Sequence, residues 1–449
     1  MATSIRRFAE GLYTEHAEEA SFLYVQRQKL RLDPEVGWRD LLDVEDRFEA
    51  HLDGLVLGGD RAAAICLALA GGDEAGAVHA ALSVLGRQQM LQPALDLLGR
   101  LALDDAAVVR AAADALIREA PTAWRDHLRE TLTRREAWPL IAARVVGYRR
   151  FAFEHDLLAA CRTATAPAQA QIAWALGRVG TVASIPSLRA MLRTQDHALA
   201  DASATALMRL GDDEPVRVAM SEGPGPQWMP IALSLGGEPH AATARLLEWL
   251  RTPHAGESTV LALGLLGDLA AVAPLLDLLG DEALGGAAAV ALNTITGAAL
   301  QARVFVPDPV DVELLTPDER VAFDLDGALP PAMARAGAWM RQPVRDKDRW
   351  YAWLAEHKGD FHRGTRWRDG RPHGPASLVS CLAADDTAHA VRSATYDELV
   401  IRYGLTIPFE PDLPVRQQVS LLERLNGWAF EHAPRFDPSH SYFAGTRQA

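Results

Sequence analysis

Three stretches of this chain follow one plan. SVLGRQQMLQPALDLL (83–98), ALGRVGTVASIPSLRAML (175–192) and ALGLLGDLAAVAPLLDLL (262–279) each run from a helix end in Leu or Val through a Gly turn to a Pro and a Leu-rich helix. Gly supplies the left-handed residue that stops a helix, and Pro is tolerated in the first turn of the next. Helix-ending turns recur near Gly58, Gly86, Glu119–Pro121, Gly147, Gly180, Gly211, Gly236, Gly267 and Gly297. The 211 residues from Gly86 to Gly297 divide into seven intervals of about 30. A helix-turn-helix unit of that length buries its apolar face only against its neighbours. The repetition therefore predicts an all-α solenoid of about eight helix pairs over residues 58–300, without β-sheet.

The second helices fit that reading. In DDAAVVRAAADALIREA, Val109, Ala112, Ala113 and Leu116 fall on one helical face, as do Leu199, Ala202, Ala206 and Leu210 in DHALADASATALMRLGD. Small Ala side chains let stacked helices approach closely. The Asp104-Asp105 entry, the Val-Arg-x-Ala core at 109–112 and the Leu-Gly turns resemble short HEAT-like repeats of about 30 residues, over roughly 60–300. A further copy returns at SLVSCLAADDTAHAVRSATYDELVIRYG (377–404), with Val391-Arg392-x-Ala394 in its second helix.

Other regions flank the array. Residues 1–57 hold two helical patterns, HAEEASFLYVQRQKL (16–30) and DLLDVEDRFEAHLDGL (40–55), separated by Asp33-Pro34; the second carries the apolar stripe Leu41, Val44, Phe48 and Leu52. Such a pair suits an N-terminal cap, because a solenoid end needs covering. Residues 301–376 read as a Pro-, Trp- and Arg-rich linker and loop region, extended through Pro307, Pro309 and Pro317 and turning helical at MARAGAWM. Residues 377–449 hold the late repeat and a tail with one helix around Val415–Ala429. The strings HAEEASFLYVQRQKL and VEDRFEAHLDGLVLGGD, followed by HEAT-like repeats, resemble an uncharacterised proteobacterial family often encoded near type VI secretion genes. That resemblance implies a role in secretion or effector handling and brings no catalytic residues with it.

Composition narrows the functions. Apolar residues make up 49% of the 449, enough for a large core, and the formal net charge is −14. An acidic chain is a poor sequence-blind coat for nucleic acid, since that binding rests on counterion release onto Lys and Arg. The three cysteines, Cys66, Cys161 and Cys381, lie far apart in apolar runs and read as buried thiols of a reducing cytosol. No window reaches the ~18 uncharged apolar residues of a membrane span, so a cytoplasmic protein with no membrane contact is expected.

Two strings invite a chemical reading. VAFDLDGALP (321–330) resembles motif I of the haloacid dehalogenase-like phosphatases, which would make Asp324 nucleophile and Asp326 acid/base. That chemistry needs a parallel sheet behind the motif, and the pattern after Leu329 supplies none; Ala328 also stands where that family has Thr. The expectation is an Asp/Gly turn before a helix. The second string is Arg335 to Arg371, with ten basic residues against five acidic, a local +5 interleaved with Trp339, Trp350, Trp353 and Trp367. Arg beside Trp suits bidentate recognition of a carboxylate or phosphate and cation–π stacking; equally, the Trp rings can pack this segment onto the array. The residues singled out for protein binding are Trp350, Trp353, Arg363, Arg366, Trp367 and Arg368.

No two histidines sit at metal-binding spacing, and His362 and His373 would need ligands from elsewhere, so neither metal nor cofactor is expected. The leading functional expectation is a non-catalytic scaffold or adaptor that holds another protein, a secretion component or an effector. A HEAT-like DNA glycosylase is the alternative; it calls for Arg or Lys along the exposed ridge, where Arg110, Arg209 and Arg251 stand isolated. A bilin-lyase-like role shares the short unit, but nothing points to a tetrapyrrole.

Overall fold

Hydrophobic periodicity and capping chemistry build the elements. The computed structural model describes residues 2–132, 138–308, 310, 312, 315–327 and 336–448. The fold is mainly α-helical, 68% helix. Two helices, Ala2–Leu30 and Leu41–Leu57, pack on each other at the N-terminus, and Leu41, Val44, Phe48 and Leu52 are all buried. Among the described residues, sixteen α-helices follow from Gly59 to Thr296 with no strand between them. The Asp-rich entries act as N-caps: the Asp105 carboxylate accepts from the amides of Ala107 and Val108, and Asp196 accepts from Leu199.

One row of helices carries the stacking. Ala75–Arg87, Ala106–Glu119, Trp138–Arg149, Ala166–Val179, His197–Arg209, Trp228–Gly236, Glu257–Leu266 and Gly285–Thr296 each pack on the next. Val109, Ala112, Ala113 and Leu116 are buried between neighbours. The recurring glycines divide into two kinds: Gly58, Gly180, Gly267 and Gly297 cap their helices and Gly211 turns the chain just after one, as expected. Gly86, Gly147 and Gly236 do not turn the chain; they lie inside the last turns of their helices. A Cβ on Gly86 would stand 2.6 Å from the Glu119 carbonyl oxygen, and one on Gly147 would overlap the Trp174 ring. Gly177 and Gly264, unmarked by the turn reading, meet the Cα atoms of Ala206 and Ala291 in the same way, at 2.7 Å. The 30-residue Gly period thus mixes helix ends with points of close helix–helix contact.

Beyond Thr296 the chain is more structured than a linker. Strand β1 (Gln301–Pro307) pairs antiparallel with β2 (Gly337–Pro343), so Gly337–Met340 of MARAGAWM is strand where helix was expected; Met333–Arg335 lie outside the described residues, as does Pro309. Helix Pro317–Asp326 lies between the two strands in sequence and has no buried residue. Helix Lys347–His357 follows, then a short hairpin at 367–372 and the helices Pro375–Ala383, His389–Tyr403 and Val415–His432. These last helices do not extend the row. His389–Tyr403 packs across His197–Arg209 and Trp228–Gly236, and Val415–His432 meets the N-terminal helix Leu41–Leu57. A separate core joins Trp38 and Leu41 to Leu378, Leu399, Phe409 and Leu425.

Candidate functional site

The Arg/Trp segment lies mostly inside the molecule. Trp350 and Arg368 are fully buried, and Trp367 and Arg366 nearly so; Trp353 is half-buried and Arg363 exposed, while Arg335 lies outside the described residues. The Trp350 indole N–H donates to the Val344 carbonyl at 2.7 Å, Trp367 meets the edge of Phe361, and Trp353 stacks on His357 at 4.1 Å. The guanidiniums converge on a carboxylate that the sequence reading did not single out. Buried Glu398 accepts from Arg366 at 2.9 Å, Arg368 at 2.8 Å, Arg402 at 3.0 Å and His373 at 2.9 Å. Other N–H groups of these arginines reach helix ends: Arg366 to the Leu266 carbonyl, Arg368 to Leu265, Arg402 to Ser234 and Gly237. Helix C-termini carry partial negative charge and unpaired carbonyls, so cations cap them well. Four of the six residues proposed for partner binding therefore turn most of their polar groups to the chain itself, the buried Arg368 Nε alone lacking a partner among the described residues. The physical reason is that buried guanidiniums need acceptors, and two helix ends and Glu398 supply them.

Burial opposes the charge on Glu398, yet the His373 ring and the Arg368 and Arg366 guanidiniums hold its carboxyl well below the usual range. Burial and Arg366 push His373 down to about 3 against the pull of Glu398, so the ring is neutral. Burial lowers Arg402 to about 10. Backbone contacts fix the segment too. Gly267 and Gly297 adopt φ +73° and +64°, and the chain passes directly over both; the Trp367 amide donates to the Gly267 carbonyl, and the Asp369 and Gly370 amides to Thr294 and Ile295. Only glycine combines that backbone angle with so close an approach.

A second set of ion pairs runs along the helix row. Arg87, Arg118, Arg149, Arg178 and Arg209 occupy the last turns of successive row helices, about 30 residues apart. Arg149 caps the preceding helix through the Ile117 and Ala120 carbonyls, and Arg209 reaches that of Gly177. The C-terminal segment supplies acids to this side. Glu410 accepts from Arg178 at 2.6 Å and Arg150 at 3.0 Å, and Asp397 from Arg209 at 2.5 Å. Asp412 joins Arg31, Tyr148 and His389. Burial would raise both carboxyls, but Arg178 and Arg150 hold Glu410 below the usual range, and His389, Arg31 and Arg144 hold Asp412 well below it. Of the three arginines read as isolated, Arg110, Arg209 and Arg251, Arg209 belongs to this ladder. The overlooked signal was the ladder's 30-residue spacing before each turn.

The remaining candidates fall differently. Asp324 and Asp326 lie in the last turns of the exposed helix Pro317–Asp326, capped by Gly327, so the Asp/Gly turn ends a helix; Ala328 to Pro330 lie outside the described residues. Lys347 donates to the Asp277 carbonyl, and Asp385 pairs with Arg39. His373 is bonded to Glu398 and Tyr403, whereas His362 is exposed. Among the described residues no three His, Cys, Asp or Glu side chains converge in a metal-holding group. The three cysteines are free and buried, with the Cys66 thiol raised to about 12 by burial. No single described helix is long and apolar enough to cross a membrane. A cleft of about 260 Å³ between Gly285–Thr296 and the late helices is lined by Asp369, Asp386, Arg341 and Arg368, and burial with the nearby Asp386 raises the Asp369 carboxyl.

The ribbon β1–β2 differs from everything above: Ala302 at its base packs on the main core, but among the described residues both faces expose side chains further out. Val304 and Trp339 are exposed, as are Arg303 and Arg341, and the helix between the strands in sequence exposes Val321 and Leu325. No family model matches the chain, and no curated protein matches it.

Proposed function

We propose that this chain is a non-catalytic protein-interaction scaffold: a HEAT-like α-solenoid, braced along one ridge by its own C-terminal segment, that holds another protein through the β1–β2 arm. One observation carries the reading. The arm exposes Val304, Trp339, Val321 and Leu325 on elements that form no core of their own among the described residues, and an isolated two-stranded ribbon is marginal in water. Ordered apolar surface of that kind is characteristic of binding sites. The N-terminal resemblance points to a secretion component or effector as the partner, met in the cytoplasm. The glycosylase alternative draws less support, because Arg178 and Arg209 on the ridge are committed to Glu410 and Asp397.

The test is capture with cross-linking from the source cells, comparing the full chain with one in which a two-residue turn joins Gln301 to Pro343. Those residues are Cα partners, so the excision leaves the body intact. Cross-links from arm residues to one protein, lost on excision, support the reading. A chain that retrieves nothing above a mock capture refutes it.

A further inference from the structure

We infer that the outer edge of β1 takes up an extended strand from the partner, one that alternates acidic and apolar side chains; this rests on the scaffold reading above and specifies its contact. Register fixes which backbone groups are available. The Val344 amide donates to Leu300 and the Asp308 amide to Ala336, just beyond the ends of the paired strands. Even-numbered pairs, such as Val304 with Met340, are therefore the hydrogen-bonded ones, while the amides and carbonyls of odd-numbered residues point outward.

The two outer edges are unequal. On β2 the Arg341 amide is taken by the Glu35 carboxylate, the Trp339 carbonyl by the Arg303 guanidinium, and Pro343 has no N–H to offer. This edge also faces the body, against helix Gly285–Thr296. On β1, Gln301, Arg303 and Phe305 each present an amide and a carbonyl with no partner among the described residues. An open edge of this kind is a template for strand addition.

Side chains specify what would be added. Arg303 and Arg341 are directly opposed across the ribbon, beside the cross-strand pair Phe305–Trp339. Like charges placed opposite destabilise a strand pair, and neither guanidinium forms an ion pair among the described residues. A carboxylate opposite Arg303 would relieve the repulsion. The other face presents Val304 and Val306, beyond Ala302, which packs on the core, so alternate residues of the incoming strand should be apolar. A second copy of this chain fits poorly. Antiparallel self-pairing centred on Arg303 would set two guanidiniums directly opposite each other.

The probe is a fluorescein-labelled heptapeptide alternating Val with Asp or Glu, followed by anisotropy against the full chain; a second peptide carries Lys at the acidic positions. Saturable binding of the acidic peptide is expected. Arg303→Glu should weaken it about tenfold or more and reverse the preference toward the Lys peptide. Phe305→Pro, which removes an outward amide and leaves the inner ladder, should weaken it similarly. Far-ultraviolet dichroism and melting establish that the variants stay folded. No binding to the wild type up to about 1 mM, or affinities within about twofold for both folded variants, overturns strand addition. If arm excision abolishes cross-linked capture while Arg303→Glu retains it, the scaffold reading stands and strand addition alone falls.

Discussion

Replacing Glu398 by Gln should remove the counter-charge that holds Arg366, Arg368 and Arg402 inside the protein. Each pair, at a charge separation of ~4 Å and an effective dielectric of ~20, contributes about 4 kcal/mol of Coulomb attraction, so about 12 kcal/mol gross is lost. Repulsion among the three guanidiniums remains. Relief of the carboxylate's own desolvation, several kcal/mol, offsets part of the loss, and breaking one buried pair typically costs about 3–5 kcal/mol. A net destabilisation of at least about 4 kcal/mol follows for a hub whose carboxylate is fully buried. Urea unfolding followed by tryptophan fluorescence measures it, since Trp350 and Trp367 lie in the same segment. Hydrogen exchange localises it: the amides of Trp367, Asp369 and Gly370, bonded to Gly267, Thr294 and Ile295, should exchange faster as the segment lifts off. Arg366→Glu with Arg368→Glu should act in the same direction, by crowding carboxylates around Glu398. Stability within about 1 kcal/mol of wild type, together with unchanged exchange at those amides, would refute the reasoning and return these arginines to the pool of partner-binding residues.

Two further outcomes follow from the same packing. Gly267→Val should destabilise by more than about 2 kcal/mol, because it forces a β-branched residue into a left-handed backbone and its Cβ against the Trp367 carbonyl; Gly286→Ala, on a helix where a Cβ meets open space, should be neutral to stabilising by up to about 1 kcal/mol in the same thermal melt. Stability should also fall with acidification. His373, held near 3, and His79, held well below 6.5 by burial, are neutral when folded but protonate when unfolded, so the unfolded state binds more protons between about pH 6.5 and pH 3. The contribution is fully present above about pH 6.5 and drains away below it, at up to about 1.4 kcal/mol per pH unit for each ring; urea midpoints across that range should show the slope, reduced in His373→Asn.

The helical array was legible because its signal is periodic. Val109, Ala112, Ala113 and Leu116 occupy the face their spacing dictates, and Asp105 caps the helix it precedes. The glycines were legible as a period but not as contacts: whether Gly147 ends a helix or admits the Trp174 ring depends on a neighbour 27 residues away. The Arg/Trp segment misled for a related reason. Composition cannot distinguish a guanidinium offered to solvent from one that reaches the carbonyls of Leu265 and Leu266, about a hundred residues back. Met340 was assigned to a helix from a run of Ala and Met, whereas pairing with Val304 makes it strand; local propensity yields to a partner that the sequence places far away.

The acids that cover the helix row raise a separate question, since buried ion pairs are weak sources of stability. Their arrangement fixes alignment instead. Glu410 sits on Arg150 and Arg178, and Asp397 on Arg209, one helix further along. If the C-terminal segment slid forward by one helix, Glu410 would meet Arg209, but Asp397 would fall on Trp228–Gly236, a helix that contains no basic residue. Sliding back by one would return Asp397 to Arg178 and move Arg402, which needs the carbonyls of Ser234 and Gly237, away from a helix end that lacks a cationic cap of its own. The forward shift strands the part-buried Asp397 and the backward one the fully buried Arg402, and losing one partner of a buried pair costs about 3–5 kcal/mol, a substantial share of a typical domain's net stability. Apolar contacts between Leu- and Ala-rich faces tolerate translation far better, because one such face resembles the next. The charges thus give a repetitive surface a single alignment.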